Sequence, residues 1–204
     1  MAKEKAWQRH ERRKSLNHQR RKSFCIFTEG KTEELYFDGF DLPTLRVKCV
    51  GLGGGNAEHL LQEALGYMRM AKFADYDYYW LVFDCDDNSQ EELQHVVAKA
   101  ERNKVHWCFS NPCFELWYLL HFVYRDTPLT AFDLKKRLLK EWIPGYNETM
   151  EGVWKLLSDK TDVAVRHALR LLPYETRDEW KQKLQQANPS TNVDELVLKL
   201  LEKD

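Results

Sequence analysis

Between residue 23 and about residue 125, short apolar runs alternate with stretches whose apolar positions recur every three or four residues. A brief apolar run bounded by turn residues marks a strand, and a period near 3.6 marks a helix. Strands are predicted over 23–28 (SFCIFT), 45–50, 78–83 (YYWLVF) and 105–109. A helix is predicted over 32–40, with Leu35, Phe37 and Phe40. Another runs from an Asn56 N-cap to about 73, carrying Leu60, Leu61, Ala64, Leu65 and Met68. A third runs from a Ser89 or Asn88 cap to about 101. A fourth begins near Pro112, with Phe114, Leu116, Trp117, Leu119, Leu120 and Phe122. Beyond 125 the pattern is helical, near 130–142, 149–158, 160–172, 176–187 and 191–203, with breaks at Pro144-Gly145, Pro173 and Asn188-Pro189. The TNVD of 191–194 reads as a capping box for the last helix.

Strand and helix in strict alternation, with continuously apolar strands, predict an α/β fold: a roughly four-stranded, mainly parallel sheet covered by helices on both faces. Ligands of such sheets bind beyond the carboxyl ends of the strands. Those ends carry Glu29, the glycines at 51, 53, 54 and 55, the acidic trio Asp84, Asp86 and Asp87, and Ser110-Asn111. The unusual chemistry therefore collects on one edge. Three regions follow: a flexible basic arm over 1–22, the α/β core over 23–125, and a helical C-terminal extension over 126–204 packed on the core.

Charge changes the picture more than composition does. The 204 residues carry a formal net charge of −1. Residues 1–22 hold nine Lys and Arg against Glu4 and Glu11, a formal +7, which leaves −8 for the remainder. The arm reads either as a clamp on a phosphate backbone, through Arg12, Arg13, Lys14, Arg20, Arg21 and Lys22, or as a solubilising tail. The acidic remainder argues against a broad basic groove and for a site that gathers carboxylates around cations. With 43% hydrophobic and 31% charged residues the chain is neither disordered nor fibrous. No apolar run is long enough for a membrane span, and no signal peptide is visible. Five cysteines without a CxxC pair fit a reduced, cytoplasmic protein.

Asp84 and Asp86 lie two apart as the chain leaves a strand, so both side chains can face one side. Two close carboxylates repel unless a cation lies between them, and hard oxygen ligands suit Mg²⁺ or Mn²⁺. The plainer alternative is a solvated loop whose aspartates favour the next helix dipole. Glu29 follows a buried strand, and Glu33 lies one helical turn on, so the two carboxylates can approach one ion. Alternatively Thr28 or Glu29 is a cap and Glu33 a surface charge. The glycine run matches neither a Walker loop nor GxGxxG, and reads as a tight strand-to-helix turn near the cleft. Glu115, inside an apolar helix just after the fourth strand, faces either solvent or the cleft, because a buried unpaired carboxylate is costly. His121 reads as a core or surface histidine. Cys108 and Cys113 read as small apolar residues.

EGKTE followed by Tyr36-Phe37, then VFDCDD at 82–87, SNPCFELWYLLHF at 110–122 and NPSTNVDELV at 188–197 together resemble the RloB-like proteins, over about 23–203 and in that family's order. The resemblance implies membership of the Toprim-fold superfamily beside the OLD-family nucleases, and so a Toprim-like sheet. It implies that Glu29, Asp84 and Asp86 organise a divalent metal for phosphodiester chemistry. It also implies that Glu33 joins them as the OLD branch's further acidic residue; Glu115 is our addition. Toprim topoisomerases and primases usually carry a Gly after DxD, where this chain has Asp87-Asn88, so strand passage and primer synthesis are disfavoured. The family association is with restriction and antiphage defence loci, often beside an ATPase.

The expected function is thus a Mg²⁺- or Mn²⁺-dependent nuclease acting on DNA or RNA. Catalysis is expected from Glu29 and Glu115, and metal binding from Glu29, Glu33, Asp84 and Asp86. A different class of function, a non-catalytic Toprim-like module that binds nucleic acid or a partner ATPase, accounts for the same residues. A small-molecule phosphotransferase fits less well, since no Walker motif is present and no Thr stands where the HAD pattern needs one.

Overall fold

The computed structural model describes residues 21–85, 88–171 and 177–202. Strands β1 (Lys22–Thr28), β2 (Leu45–Gly51), β3 (Tyr78–Asp84) and β4 (His106–Asn111) are mutually parallel. A two-residue β5 (Ser190–Thr191) pairs antiparallel with β4, giving one sheet in the order β2-β1-β3-β4-β5. The sheet therefore has five strands rather than about four. A two-residue strand is too short to leave any periodicity in the sequence, so only its partner on β4 defines it.

Helices α1 (Lys31–Phe37), α2 (Ala57–Met68), α3 (Gln90–Arg102) and α4 (Glu115–Leu120) follow β1 to β4 in turn. Asn56 caps α2 by accepting the His59 N–H at 3.0 Å. Ser89 and Glu92 form the reciprocal capping box of α3, at 3.2 and 2.8 Å. Alternation along β1 sends Phe24 and Ile26 to one face and Cys25 and Phe27 to the other. The first face packs on α1, α4 and helices from later in the chain. The second packs on α2 and α3, through Leu60, Leu61, Val96 and Val97. Every residue of α4 is buried, as expected of a helix that is apolar almost all round.

The later helices are α5 (131–142), α6 (Val153–Leu157), α7 (Thr161–Leu171), α8 (Arg177–Lys181) and α9 (Val193–Leu201). Within α5 the turn Leu134–Leu138 is a π-helix. Leu134, Leu139, Leu157, Ala164 and Leu196 from this part share one apolar cluster with β1 and α4. Among the described residues no helix is long and apolar enough to cross a membrane. All five cysteines are buried thiols outside any disulfide.

The capping box expected over 191–194 does not form, because its side chains are used elsewhere. Thr191 Oγ1 donates to the Phe109 carbonyl at 2.8 Å, and Asn192 Oδ1 accepts the Phe109 N–H at 2.8 Å. Asn192 Nδ2 donates to the Trp107 carbonyl at 3.3 Å. The NPSTN segment thus fastens the C-terminal part to β4, and Asn192 occupies the cap position of α9 without capping it. Asp194 is left 2% exposed, with Oδ1 unpartnered among the described residues.

Burial, with the adjacent Glu195 carboxylate, pushes the Asp194 pKa up to about 7. The folded state then holds this proton more tightly than the unfolded chain. Its contribution to stability is full below about pH 4 and is lost as pH rises through about 7. Asp194→Asn is expected to flatten the fall in stability across that window by about 2–4 kcal/mol, on the scale of about 1.4 kcal/mol per pKa unit. Urea unfolding at pH 4.5 and pH 8 checks it; equal pH slopes in the two proteins would contradict the assignment.

Candidate functional site

The strand order places the site. From β1 the chain crosses first to β2 on one side, and then to β3 and β4 on the other. The carboxyl ends of β1 and β3 therefore flank the point where the winding reverses, and a crevice opens there. Glu29 leaves β1 and Asp84 ends β3. The Asp84 backbone N–H donates to Glu29 Oε2 at 3.2 Å.

The glycine turn closes over the same edge. Leu52 N–H donates to the Thr28 carbonyl at 3.0 Å and Gly54 N–H to the Glu29 carbonyl at 2.9 Å. Gly53 and Gly54 have φ of 80° and 88°, which a side chain would strain, and both line the crevice. On the far side Asn88 ties the exit of β3 to α2. Its Oδ1 accepts the Ala57 N–H at 2.9 Å and its Nδ2 donates to the Asp84 carbonyl at 3.0 Å. The Gln185 side chain donates to the carbonyls of Cys85 and Asn88. Ser89 is the helix cap, so Asn88 is freed for this bridge.

The cleft of about 360 Å³ is lined by Glu29, Glu33, Asp84, Glu115 and Glu148, with Lys31, Lys135, Thr32 and Gly30 among its other walls. Five carboxylates face two lysines. Glu33 is buried rather than a surface charge, and its Oε2 accepts the Gly30 N–H at 3.2 Å. Burial pushes its pKa up to about 7, and the Glu115 and Glu29 carboxylates add to the rise. Glu115 is 1% exposed and turned into the cleft, not onto a polar stripe. Its Oε1 accepts from the Tyr146 hydroxyl at 2.8 Å, and its Oε2 lies 3.7 Å from Lys135 Nζ. Lys135 also lies 3.4 Å from Glu148. Burial alone would lower the Lys135 pKa, but Glu115, Cys113, Glu148 and Asp84 raise it above the ordinary lysine range.

Glu29, Glu33, Asp84 and Glu115 are thus brought together. Asp86 lies outside the described residues, as do Arg12, Arg13, Lys14 and Arg20. Arg21 and Lys22 stand at the start of β1, the end of the sheet opposite the cleft, with Lys22 3.9 Å from Glu202. His121 is a core residue, 1% exposed and bonded through Nδ1 to the Trp117 carbonyl at 2.8 Å. Burial lowers its pKa to about 4. Cys108 and Cys113 are buried in the core cluster, as read. No local sequence pattern singles out Lys135, Tyr146 or Glu148. Lys135 sits in the run LKKRLLK, where nothing local separates it from its exposed neighbour Lys136.

The donor set, carboxylate oxygens in a cleft of net negative charge, suits a hard divalent cation. Among the described residues no group of three or more His, Cys, Asp and Glu is already gathered as a metal cage. The hydrogen bonds explain why: Glu29 turns to the Asp84 N–H, Glu33 to the Gly30 N–H, and Glu115 to Tyr146 and Lys135.

The fold and cleft define an α/β protein with an acidic pocket at the reversal point of a mainly parallel sheet. The family model described as RloB-like protein matches residues 24–200, and the chain belongs to that family. Comparison with curated proteins and with solved structures finds no match.

Proposed function

We propose that this protein is a Mg²⁺- or Mn²⁺-dependent nuclease of Toprim type, related to the OLD-family nucleases, that hydrolyses phosphodiester bonds of DNA or RNA. Its setting would be cytoplasmic antiphage defence or restriction, beside a partner ATPase of the same locus. The observation that carries the reading is the meeting of Glu29, Glu33, Asp84 and Glu115 in one cleft, where burial, and after it the Glu115 and Glu29 carboxylates, push the Glu33 pKa up to about 7. Such a cluster is costly when fully ionised, and a divalent cation relieves that cost.

Asp84, Asp86 and Glu33 would hold the metal, with Glu29 as a further ligand or proton carrier. A bound ion would supply Lewis-acid polarisation of the phosphoryl group and activation of water. Glu115, held by the Tyr146 hydroxyl, keeps Lys135 charged and aimed into the cleft, where its ammonium can neutralise a phosphate oxygen. The basic arm, with Arg12, Arg13, Lys14 and Arg20, would hold the backbone without reading sequence, while Arg21 and Lys22 stand at the end of the sheet away from the cleft.

The test is incubation of purified protein with supercoiled plasmid and with single-stranded RNA, in Mg²⁺, in Mn²⁺ and in EDTA. Cutting that needs the metal is expected on at least one substrate. Cutting that persists in EDTA would sink the metal mechanism. A second reading, a non-catalytic module that binds nucleic acid or the ATPase, is favoured by the protein groups already engaging Glu29, Glu33 and Glu115. Thermal stabilisation by Mn²⁺ with neither substrate cut would select it.

A further inference from the structure

From the surface of α5 we infer that this helix is a ledge for single-stranded nucleic acid, leading an unpaired strand into the acidic cleft. The inference rests on the nucleic-acid reading above and names its substrate class. An acidic cleft repels phosphates, so a strand entering it needs cations at the rim. Arg21 and Lys22 stand at the opposite end of the sheet.

The described residues put a cationic run at the rim itself. Lys135 lines the cleft, and Lys136, Arg137 and Lys140 follow it along α5 as exposed side chains. The π-turn Leu134–Leu138 makes this possible. Leu134 and Leu139 are both fully buried, five residues apart, so the wider turn keeps both anchors in the core while Lys135 points to the cleft. Such turns recur at functional sites. At the start of the same helix Phe132 is 62% exposed, the most exposed large hydrophobic residue described. Arg137 lies 5.7 Å from its ring centre and is held there by a 2.9 Å ion pair with Asp133. An exposed ring beside a line of cations is the combination that binds single strands, with bases stacked on the ring and phosphates on the cations. A duplex keeps its bases stacked on one another and offers Phe132 nothing to stack with.

Fluorescence anisotropy of the full chain in EDTA tests this, with labelled mixed-sequence single-stranded RNA, single-stranded DNA and duplex DNA. Phe132→Ala is expected to weaken single-strand binding about fivefold or more while leaving duplex affinity within about twofold. The pair Lys136→Glu and Lys140→Glu is expected to weaken it further, and to flatten the salt slope by about 1.4 for two lost phosphate contacts. All three side chains are exposed, so unchanged melting temperatures are expected of the variants. A larger loss for RNA than for DNA would name the source of the strand. Unchanged affinity in both variants, or no binding by the parent chain, overturns the inference. Strands that are held through α5 but never cut would sink the nuclease reading and leave this one standing. Cutting with unchanged affinity in the variants would do the reverse.

Discussion

Asp84→Asn is expected to lower metal-dependent cleavage by about three orders of magnitude or more, equivalent to about 4 kcal/mol of transition-state stabilisation. The change is nearly isosteric. The residue-84 N–H still meets Glu29 Oε2, and the carbonyl still meets Asn88 Nδ2, because both contacts are made by the backbone. What disappears is one negative charge at the reversal point of the sheet, of the kind a hard cation binds. Two readouts separate this from unfolding. The melting temperature without metal should match the parent or rise slightly, since a like charge has left a crowded cleft. The stabilisation by Mn²⁺ expected of the parent should shrink, because ligand binding to the native state alone raises stability with the logarithm of affinity. Full cleavage by the variant would remove Asp84 from the mechanism.

Gly39→Ala is expected to be among the most destabilising single substitutions, by about 3 kcal/mol or more. A Cβ at residue 39 would lie 2.3 Å from Trp154 Cβ and 2.6 Å from its Cγ, well inside contact distance. Trp154 has little room to retreat: its ring lies 3.8 Å, centre to centre, from Phe40 and 5.4 Å from Tyr36. Either α6 moves away from the end of α1, or the aromatic cluster around Tyr36 opens. Gly66 within α2 is the contrasting case. An added Cβ there meets nothing within 4 Å, and alanine propensity should stabilise by about 0.5–1 kcal/mol. Two glycine-to-alanine changes of opposite sign, read from urea midpoints, test the packing directly. A neutral Gly39→Ala would mean that α6 does not pack Trp154 against Gly39 at the end of α1. The consequence reaches the cleft, because α1 carries Glu33 and receives the loop of Glu148 through the Thr32 hydroxyl at 3.3 Å.

Much of this was legible locally. The strand β3 was expected to run straight into Asp84, and it ends on that residue. The spacing leaves Glu33 either a surface charge or a cleft acid one turn after Glu29, and it is buried in the cleft. Glu115 was read as either exposed or cleft-facing, and the cost of burying a lone carboxylate made a partner necessary. The partners, Tyr146 and Lys135, could not be named, since no pattern marks a lysine that leaves its solvated run. The capping box at 191–194 was a sound local reading that lost to a tertiary one. Thr191 and Asn192 satisfy β4 backbone groups that would otherwise be buried without partners, a larger penalty than an uncapped helix end.

The alternation of strands and helices, the two-faced burial of β1, and the gathering of acidic residues at one edge were determined by the sequence alone. They follow from neighbours two to four residues apart, and from a parallel sheet putting every strand's carboxyl end on the same side. The tertiary structure decided that β1 lies beside β3, so that Glu29 meets Asp84. It also decided that β5 closes the sheet, and that a π-turn brings Lys135 against Glu115. These contacts join segments whose local patterns carry no trace of one another, and only the shared burial of their apolar faces selects them.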